Sequence, residues 1–247
     1  MIFLHFLLCF SWNHSGVTSE SSKLIYAYQS GGLNEGYSDV IAATIEFYVN
    51  DTKDTPDFLL GENLGGKILR DMENPRNDGR SIDNVCSFNN NLSVHYTSGV
   101  LNKAFVKSVR ACQANGCSDE RGCTLLLGPL FMYANIQKLT KMSGYLDSAS
   151  QTCKVVDEFF NVQKPDTTCT TSQATEFVKE GWSSVGVTIS STCGTSTPGC
   201  DLPAAPGGTA FLFSCLPEIL GAWTKVKDFF GNFPWIGQTD NEEGGEW

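Results

Sequence analysis

The sequence predicts a mainly α-helical protein whose helices form a bundle, followed by an irregular tail. Between Gly31 and Val185, apolar residues recur at intervals of three and four in several segments, which is the period of an amphipathic helix. From Thr188 the composition changes to Ser, Thr, Gly, Pro and Cys, which favours turns and loops. The 247 residues are enough to bury a substantial core.

The predicted elements follow one another along the chain. The longest helix runs from Gly31 to Tyr48, with Asn34 as its predicted N-cap. Asn50 to Gly66 is interpreted as a loop rich in acidic side chains. Further helices are predicted at 67–72, 98–110, 129–139, 146–160 and 175–185. The apolar stretch from Phe211 to Trp235 is interpreted as an element that docks onto a partner or another domain.

Three carboxylates of the longest helix, Glu35, Asp39 and Glu46, fall within about 40° of one another around its axis. Like charges in one line repel, so either solvent surrounds this face or a cation lies against it. Spacing alone favours the solvated face. The acidic loop that follows supplies more oxygens, and a calcium site needs about six to eight of them. Both interpretations stay open at this point.

Charge and hydropathy restrict the partners. The net charge is −10 and no run of Lys or Arg is present, so we expect no nucleic-acid partner. We also expect no transmembrane segment, because the apolar residues 1–12 are too few to cross a bilayer. Residues 1–12 are either the apolar core of a signal peptide or a consequence of where the chain was taken to begin.

The ten cysteines predict disulfides in an oxidising compartment. A structural zinc site is a weaker interpretation, because no CxxC pair is matched by a second Cys or His pair. Asn13, Asn50 and Asn91 each begin an N-glycosylation sequon. Together these features indicate a secreted or extracellular protein.

Several segments, in this order, resemble the C-terminal helical domain of the thermolysin-like zinc metallopeptidases. The segments are LIYAYQSGGLNEGYSDVIAATIEFY (24–48), DFLLGEN, ILRDMENP, SVHYTSGVLNKAF (93–105), GPLFMYANIQKL and EFVKEGWSSVGV. The motif GxxNExxSD followed by VHxxSGxxNKA is specific to that family. The resemblance implies a helical peptidase domain at 13–187, whereas the apolar start at 1–12 and the Cys/Gly/Pro-rich tail at 188–247 follow from composition.

The resemblance assigns roles to individual residues. Glu35 matches the family's carboxylate zinc ligand, and Asp39 matches the acid that orients one of the zinc histidines. His95 matches the histidine that stabilises the oxyanion of the tetrahedral intermediate, and Tyr26 matches a tyrosine that assists it. Arg70 matches the arginine that binds a substrate carbonyl group.

The resemblance also implies calcium as a second metal. Glu46, Asp57 and Glu62 match calcium-binding carboxylates, although Leu59 stands where the family has a further acid. Asn90 similarly replaces an acid that pairs with the catalytic histidine.

The main departure from the family is the HExxH helix, which provides two zinc histidines and a glutamate base. It is expected just before Gly16, where this chain has FSWNH at 10–14. His14 could replace the second histidine, but the first histidine and the glutamate are absent. We therefore expect zinc as the family cofactor, with an incomplete site in these residues and no peptidase activity from them alone.

Two functions follow from the resemblance. In the first, the chain represents the C-terminal domain of a zinc metalloendopeptidase that acts on peptide or protein substrates together with an N-terminal peptidase domain. In the second, it is a non-catalytic secreted binding or scaffold module that retains the helical fold. The joint presence of the five residues assigned to the zinc site favours the first function, and the lack of HExxH favours the second.

Overall fold

The computed structural model describes residues 16–50, 55–62 and 68–203, which are mainly helical, as predicted. The helices are α1 (Gly16–Glu20), α2 (Tyr28–Val49), α3 (Val94–Thr97), α4 (Gly99–Ala114), α5 (Glu120–Lys138), α6 (Tyr145–Lys154), α7 (Val156–Gln163) and α8 (Thr171–Ser183). Two antiparallel strand pairs accompany them, namely β1 (Leu59–Leu60) with β2 (Arg70–Asp71) and β3 (Val187–Ile189) with β4 (Ser196–Pro198).

Helix α2 lies at the centre of the fold. Every residue from Ser30 to Phe47 is buried, and the helix packs against α3, α4, α5 and α6. A helix that is covered on all sides cannot present a solvated acidic face. The interpretation that spacing alone favours is therefore wrong, and the carboxylates of α2 need partners inside the protein.

The start of α2 differs from the prediction. The helix begins at Tyr28, and Ala27 takes the N-cap position, where its carbonyl oxygen accepts from the Gly31 N–H. Asn34 lies inside the helix and is buried, with Nδ2 donating to the Leu24 carbonyl oxygen. Glycine at position 31 permits close packing, since a Cβ there would lie 2.4 Å from Val94 Cγ1. A residue with low helix propensity is thus retained for its small size.

The prediction of a short helix at Lys67–Met72 is wrong. Arg70 and Asp71 form β2, which pairs with β1 in the register Leu59↔Asp71 and Leu60↔Arg70. The pairing continues beyond the strands, because the Met72 N–H donates to the Phe58 carbonyl oxygen over 2.9 Å. These bonds join residues that are distant in sequence, so local helical spacing does not predict them.

The other predicted helices are present with shifted ends. Helix α5 begins nine residues before the predicted start at Pro129, and the Asp119 side chain caps it by accepting from the Gly122 N–H. Proline favours the first turn of a helix, which explains the error, but here it lies inside the helix. The segment 146–160 forms two helices, α6 and α7, on either side of Val155, and α8 begins after the capping residue Thr170.

Four disulfides confirm the prediction made from the cysteine count. They join Cys86 to Cys200, Cys112 to Cys123, Cys117 to Cys169 and Cys153 to Cys193. The sulfurs of Cys112, Cys117 and Cys169 lie within 4.8 Å of one another, but all three belong to disulfides and offer no thiolate to a metal. Cys9 and Cys215 lie outside the described residues.

The described part of the tail is tied to the helical domain. The β3–β4 hairpin is held by two of the disulfides, one to the segment before α3 and one to α6. The apolar stretch 211–235 and the first twelve residues lie outside the described ranges. Within those ranges, no helix combines the length and the apolar character needed to cross a bilayer.

Candidate active site

The carboxylate of Glu35, in α2, is the point on which several separate segments converge. Tyr26 Oη donates to Glu35 Oε1 over 2.7 Å, and His95 Nδ1 lies 2.8 Å from Oε2. The guanidinium of Arg70 approaches Oε2 to 3.7 Å. The Glu35 side chain is only 1% exposed, so these contacts replace water as its solvation.

Asp39 lies one turn after Glu35 and shares its cationic partner. Its Oδ2 is 2.8 Å from Arg70 Nε and accepts from Asn102 Nδ2 over 2.7 Å. Burial raises the pKa of Asp39, and the nearby Arg70 and Asn102 oppose that rise without cancelling it. Its second oxygen, Oδ1, is also buried and has no hydrogen-bond partner among the described residues.

Arg70 is held charged between the two carboxylates. Burial lowers the pKa of the guanidinium, but the charges of Asp39 and Glu35 outweigh this effect and raise the pKa above its ordinary value. Strand β2 places Arg70 at this point, with its side chain 15% exposed. One cation therefore compensates two buried anions.

Tyr26 precedes α2 and acts as a hydrogen-bond donor. Burial raises the pKa of its phenol, and the charge of Glu35 together with their hydrogen bond raises it further. The phenol therefore stays protonated at neutral pH. Its Oη also lies 3.3 Å from His95 Nε2, and the two rings meet edge to face with centroids 6.0 Å apart.

His95 lies on α3, the short helix that immediately precedes α4. Its side chain is 37% exposed, against 1% for Glu35 and 15% for Arg70, so the cluster meets solvent on the histidine side. One ring nitrogen contacts Glu35 and the other contacts Tyr26. The imidazole is thus oriented by two groups while remaining reachable from outside.

The structure brings together five of the residues singled out from the sequence, namely Tyr26, Glu35, Asp39, Arg70 and His95. It adds Asn102, which sequence reasoning missed as a site residue. Asn102 lies in α4 within the segment SVHYTSGVLNKAF, seven residues after His95. That spacing corresponds to about two helical turns, and it could have identified Asn102 as a site residue from the sequence.

The remaining predicted metal ligands are not assembled in the same way. Glu46 is buried near the end of α2, and Asp57 Oδ1 accepts from the Leu59 N–H. Over the described ranges, Glu46, Asp57 and Glu62 do not form a group whose carboxylate oxygens all lie within 4.8 Å of one another. His14 lies outside those ranges.

Comparison with known proteins decides the family. The model of the thermolysin metallopeptidase α-helical domain matches residues 22–187, which is more than half of the chain. The chain belongs to the thermolysin metallopeptidase family. The resemblance read from the motifs is therefore confirmed, and the fold is that of the family's α-helical domain.

Several relatives of this thermolysin-like domain are proteases. The chain is 43% identical over 94 residues to a neutral protease of Vibrio proteolyticus. The aligned region is 36% of this chain and 15% of that protein. The chain is 38% identical over 104 residues to an extracellular elastase of Staphylococcus epidermidis, covering 39% of this chain and 19% of that protein. The matched region is thus a small part of each relative.

A solved structure shares the fold. The precursor of protealysin, a metalloproteinase from Serratia proteamaculans, matches 69% of this chain and 54% of that chain. The TM-score is 0.53 and the sequence identity is 25%.

Proposed function

We propose that this chain supplies the helical part of a zinc metalloendopeptidase active site. The observation that carries the proposal is the convergence of Tyr26, Arg70 and His95 on the buried carboxylate of Glu35. A buried carboxylate flanked by oriented donors is a common feature of catalytic sites. The family relationship supports a peptide or protein substrate.

In this proposal Glu35 is the carboxylate ligand of zinc, which when bound would polarise the peptide carbonyl and activate water. The buried Oδ1 of Asp39, which lacks a partner among the described residues, fits a further N–H donor such as a zinc-bound histidine. Such a histidine would come from an HExxH helix, and the printed sequence contains no such motif. We propose that an HExxH helix outside these 247 residues completes the site.

The other side chains would act on the substrate. Tyr26, whose raised pKa keeps its phenol protonated, and His95 would donate hydrogen bonds to the developing oxyanion. Arg70, held in place by Asp39, would donate to a substrate carbonyl oxygen. The greater exposure of His95 supports an approach of the substrate from that side.

Two further assignments belong to the same proposal. Calcium would bind through Glu46, Asp57 and Glu62 with additional oxygens from neighbouring segments, and their carboxylates would have to move toward a common ion, since in the described part of the chain their oxygens do not all lie within 4.8 Å of one another. The protein would be secreted, since four disulfides suit an oxidising compartment and one relative is named an extracellular elastase.

A second candidate function has one observation in its favour. Both oxygens of Glu35 already contact side chains of this chain, Tyr26 and His95, so the carboxylate is stabilised without a metal. This is what a non-catalytic secreted binding or scaffold module requires. In that case the cluster stabilises the fold and does not take part in hydrolysis.

A hybrid protein tests the two functions. We would join residues 16–203 to a thermolysin-like N-terminal half that carries HExxH, and check folding by circular dichroism. We expect the hybrid to show peptidase activity that is lost on chelation and restored by zinc. The substitution Glu35→Gln should reduce this activity at least about 100-fold. The 247-residue chain alone should show none. A folded hybrid that binds zinc but lacks activity would favour the scaffold function.

A further inference from the structure

The sequon Asn91-Leu92-Ser93 ends two residues before His95, and the proposed function does not use it. Asn91 and Ser93 are both exposed. Among the described residues, Asn91 has one hydrogen bond to a side chain, in which its backbone N–H donates to Asn89 Oδ1 over 3.0 Å. Ser93 occupies the N-cap of α3, yet its hydroxyl makes no capping bond. Both polar side chains of the sequon are therefore available to an enzyme.

The sequon is presented by a defined turn. The Leu92 N–H donates to the Asn89 carbonyl oxygen over 3.2 Å, which closes a turn with Asn91 at its tip. Leu92, the middle residue of the sequon, packs against the hydrophobic core. Its partial burial anchors the turn, and the exposed Asn91 and Ser93 lie outside the core on either side of it. Exposed turns of this kind are the usual location of N-linked glycans.

We propose that Asn91 is the acceptor of an N-linked glycan that shields the His95 side of the site. The donor would be a lipid-linked oligosaccharide diphosphate. Transfer forms a bond between Asn91 Nδ2 and C1 of the first sugar and breaks the bond from that C1 to the diphosphate oxygen. The lipid diphosphate leaves, and the proton of Nδ2 is released.

The shield follows from the short path between the two residues. His95 lies four positions after Asn91, so their Cα atoms lie at most about 14 Å apart. The path is shorter still, because Val94 and His95 are already helical. Since the site meets solvent at His95, a bulky group at Asn91 borders its open side. Such a shield would limit the access of large substrates to the site, and this consequence rests on the proposed function.

Site occupancy is the direct test. The full 247-residue chain would be secreted from a eukaryotic cell line behind a cleavable leader, and the Asn91 peptide analysed by mass spectrometry before and after treatment with a glycosidase. We expect a glycan at Asn91 in the wild-type chain and in Ser93→Thr, which keeps the sequon. Ser93→Ala and Asn91→Gln should lack it. An unmodified Asn91 peptide in the secreted wild-type chain would overturn the proposal.

Hydroxyl-radical footprinting tests the shield. In the glycosylated chain, oxidation of His95 and Tyr96 should fall to about half or less of its rate in Ser93→Ala. Tyr48, which is 48% exposed and lies about 20 Å along α2 from Glu35, is the control and should be oxidised equally in both. Equal oxidation of His95 in the two chains would contradict the shield. Neither measurement requires zinc or peptidase activity, so their failure is distinguishable from failure of the proposed function.

Discussion

At the scale of single residues, the site consists of buried charges that are balanced by few partners. Glu35 and Asp39 are at most 1% exposed, and Arg70 lies against both. Such a cluster costs desolvation free energy and tolerates little change, because removing one partner leaves another charge unpaired in the core. A site retained at this cost is easier to explain by function than by stability alone.

Asp39→Asn should therefore destabilise the full chain strongly. Loss of this carboxylate removes the nearer of the two anions beside the buried guanidinium of Arg70, and we expect a cost of about 3 kcal/mol in the free energy of unfolding. Urea unfolding followed by circular dichroism measures it. The control is Glu176→Gln, because Glu176 is 67% exposed in its pair with Lys179, and this change should cost about 1 kcal/mol or less. Equal effects of the two variants would refute the account.

The sequence singled out five residues that the structure brings together, but it did not predict their environment. The motifs in α2 and α3 identified Glu35, Asp39 and His95 through the family resemblance. Spacing alone indicated a solvated face for the two acids, because burial depends on α3, α4 and α5, which pack around α2 from distant parts of the chain. Asn102 was missed for a similar reason, since its bond to Asp39 joins residues 63 positions apart.

At the scale of elements, close contact between α2 and α4 positions the site. A Cβ added at Gly36 would lie 2.9 Å from both Cβ and Cδ2 of Leu101, which is too close for an unaltered contact. Gly36 immediately follows Glu35, and the segment that carries His95 leads directly into α4. The separation of these two helices therefore determines the geometry around Glu35 and His95.

Gly36→Ala should destabilise the chain by about 1–3 kcal/mol through overpacking, although alanine favours a helix more than glycine. The same substitution in a Leu101→Ala background should cost less, since the truncated side chain leaves room for the new methyl group. Thermal unfolding of the four proteins in this double-mutant cycle measures the coupling. Additive effects would show that the contact does not limit the approach of the helices.

The ion pairs between the segment after β2 and helix α4 give a pH-dependent contribution. Glu73 contacts Arg110 and Lys107, and these partners, the hydrogen bond from Arg110 first, hold the pKa of Glu73 below its ordinary 4.5 despite partial burial. A lowered pKa in the folded state means that the stabilisation is present above pH 4.5 and is lost as the pH falls through the folded value.

Glu73→Gln should accordingly lower the melting temperature at pH 7 by about 2–4 °C, which corresponds to about 1 kcal/mol. The difference from the wild-type chain should vanish at acidic pH, where Glu73 itself is protonated. Glu176→Gln is the control, because Glu176 is 67% exposed and its pair with Lys179 contributes little. A difference that persists unchanged to low pH would contradict the role of the charge.

Long-range contacts also explain which elements were mispredicted. The helix assigned to 67–72 is instead strand β2, whose hydrogen bonds reach back to Phe58 and Leu60. Pro129 suggested a helix start, but α5 continues through it because the helix is anchored at Asp119 and packs along α2. Strong periodicity predicted that helices exist, whereas their ends depended on caps and neighbours.

At the scale of the whole molecule, the disulfides connect the tail to the helical domain. Cys86–Cys200 spans 114 residues and Cys153–Cys193 spans 40, so both restrict the part of the chain after α8. The cysteine count predicted bonds of this kind, but it could not give the pairing, which depends on which sulfurs the fold brings together. The family resemblance similarly gave the helical domain but carried no information on the tail.

The proposed calcium binding contributes to the stability of the whole domain. Addition of a calcium chelator should lower the melting temperature of the full chain, and restoring calcium at about 100 times its dissociation constant should recover about 2.7 kcal/mol. Asp57→Asn should remove most of this calcium response, whereas Asp83→Asn should leave it intact. An unchanged melting temperature on chelation would argue against the calcium site.

The zinc affinity of the HExxH-bearing hybrid measures whether Glu35 is a zinc ligand. Competition with a chromophoric chelator would give the dissociation constant, and elemental analysis the stoichiometry. We expect about one zinc ion per hybrid. Glu35→Gln should weaken binding at least about 10-fold, whereas Glu73→Gln should not change it. Zinc bound equally tightly by the Glu35→Gln hybrid would contradict the account.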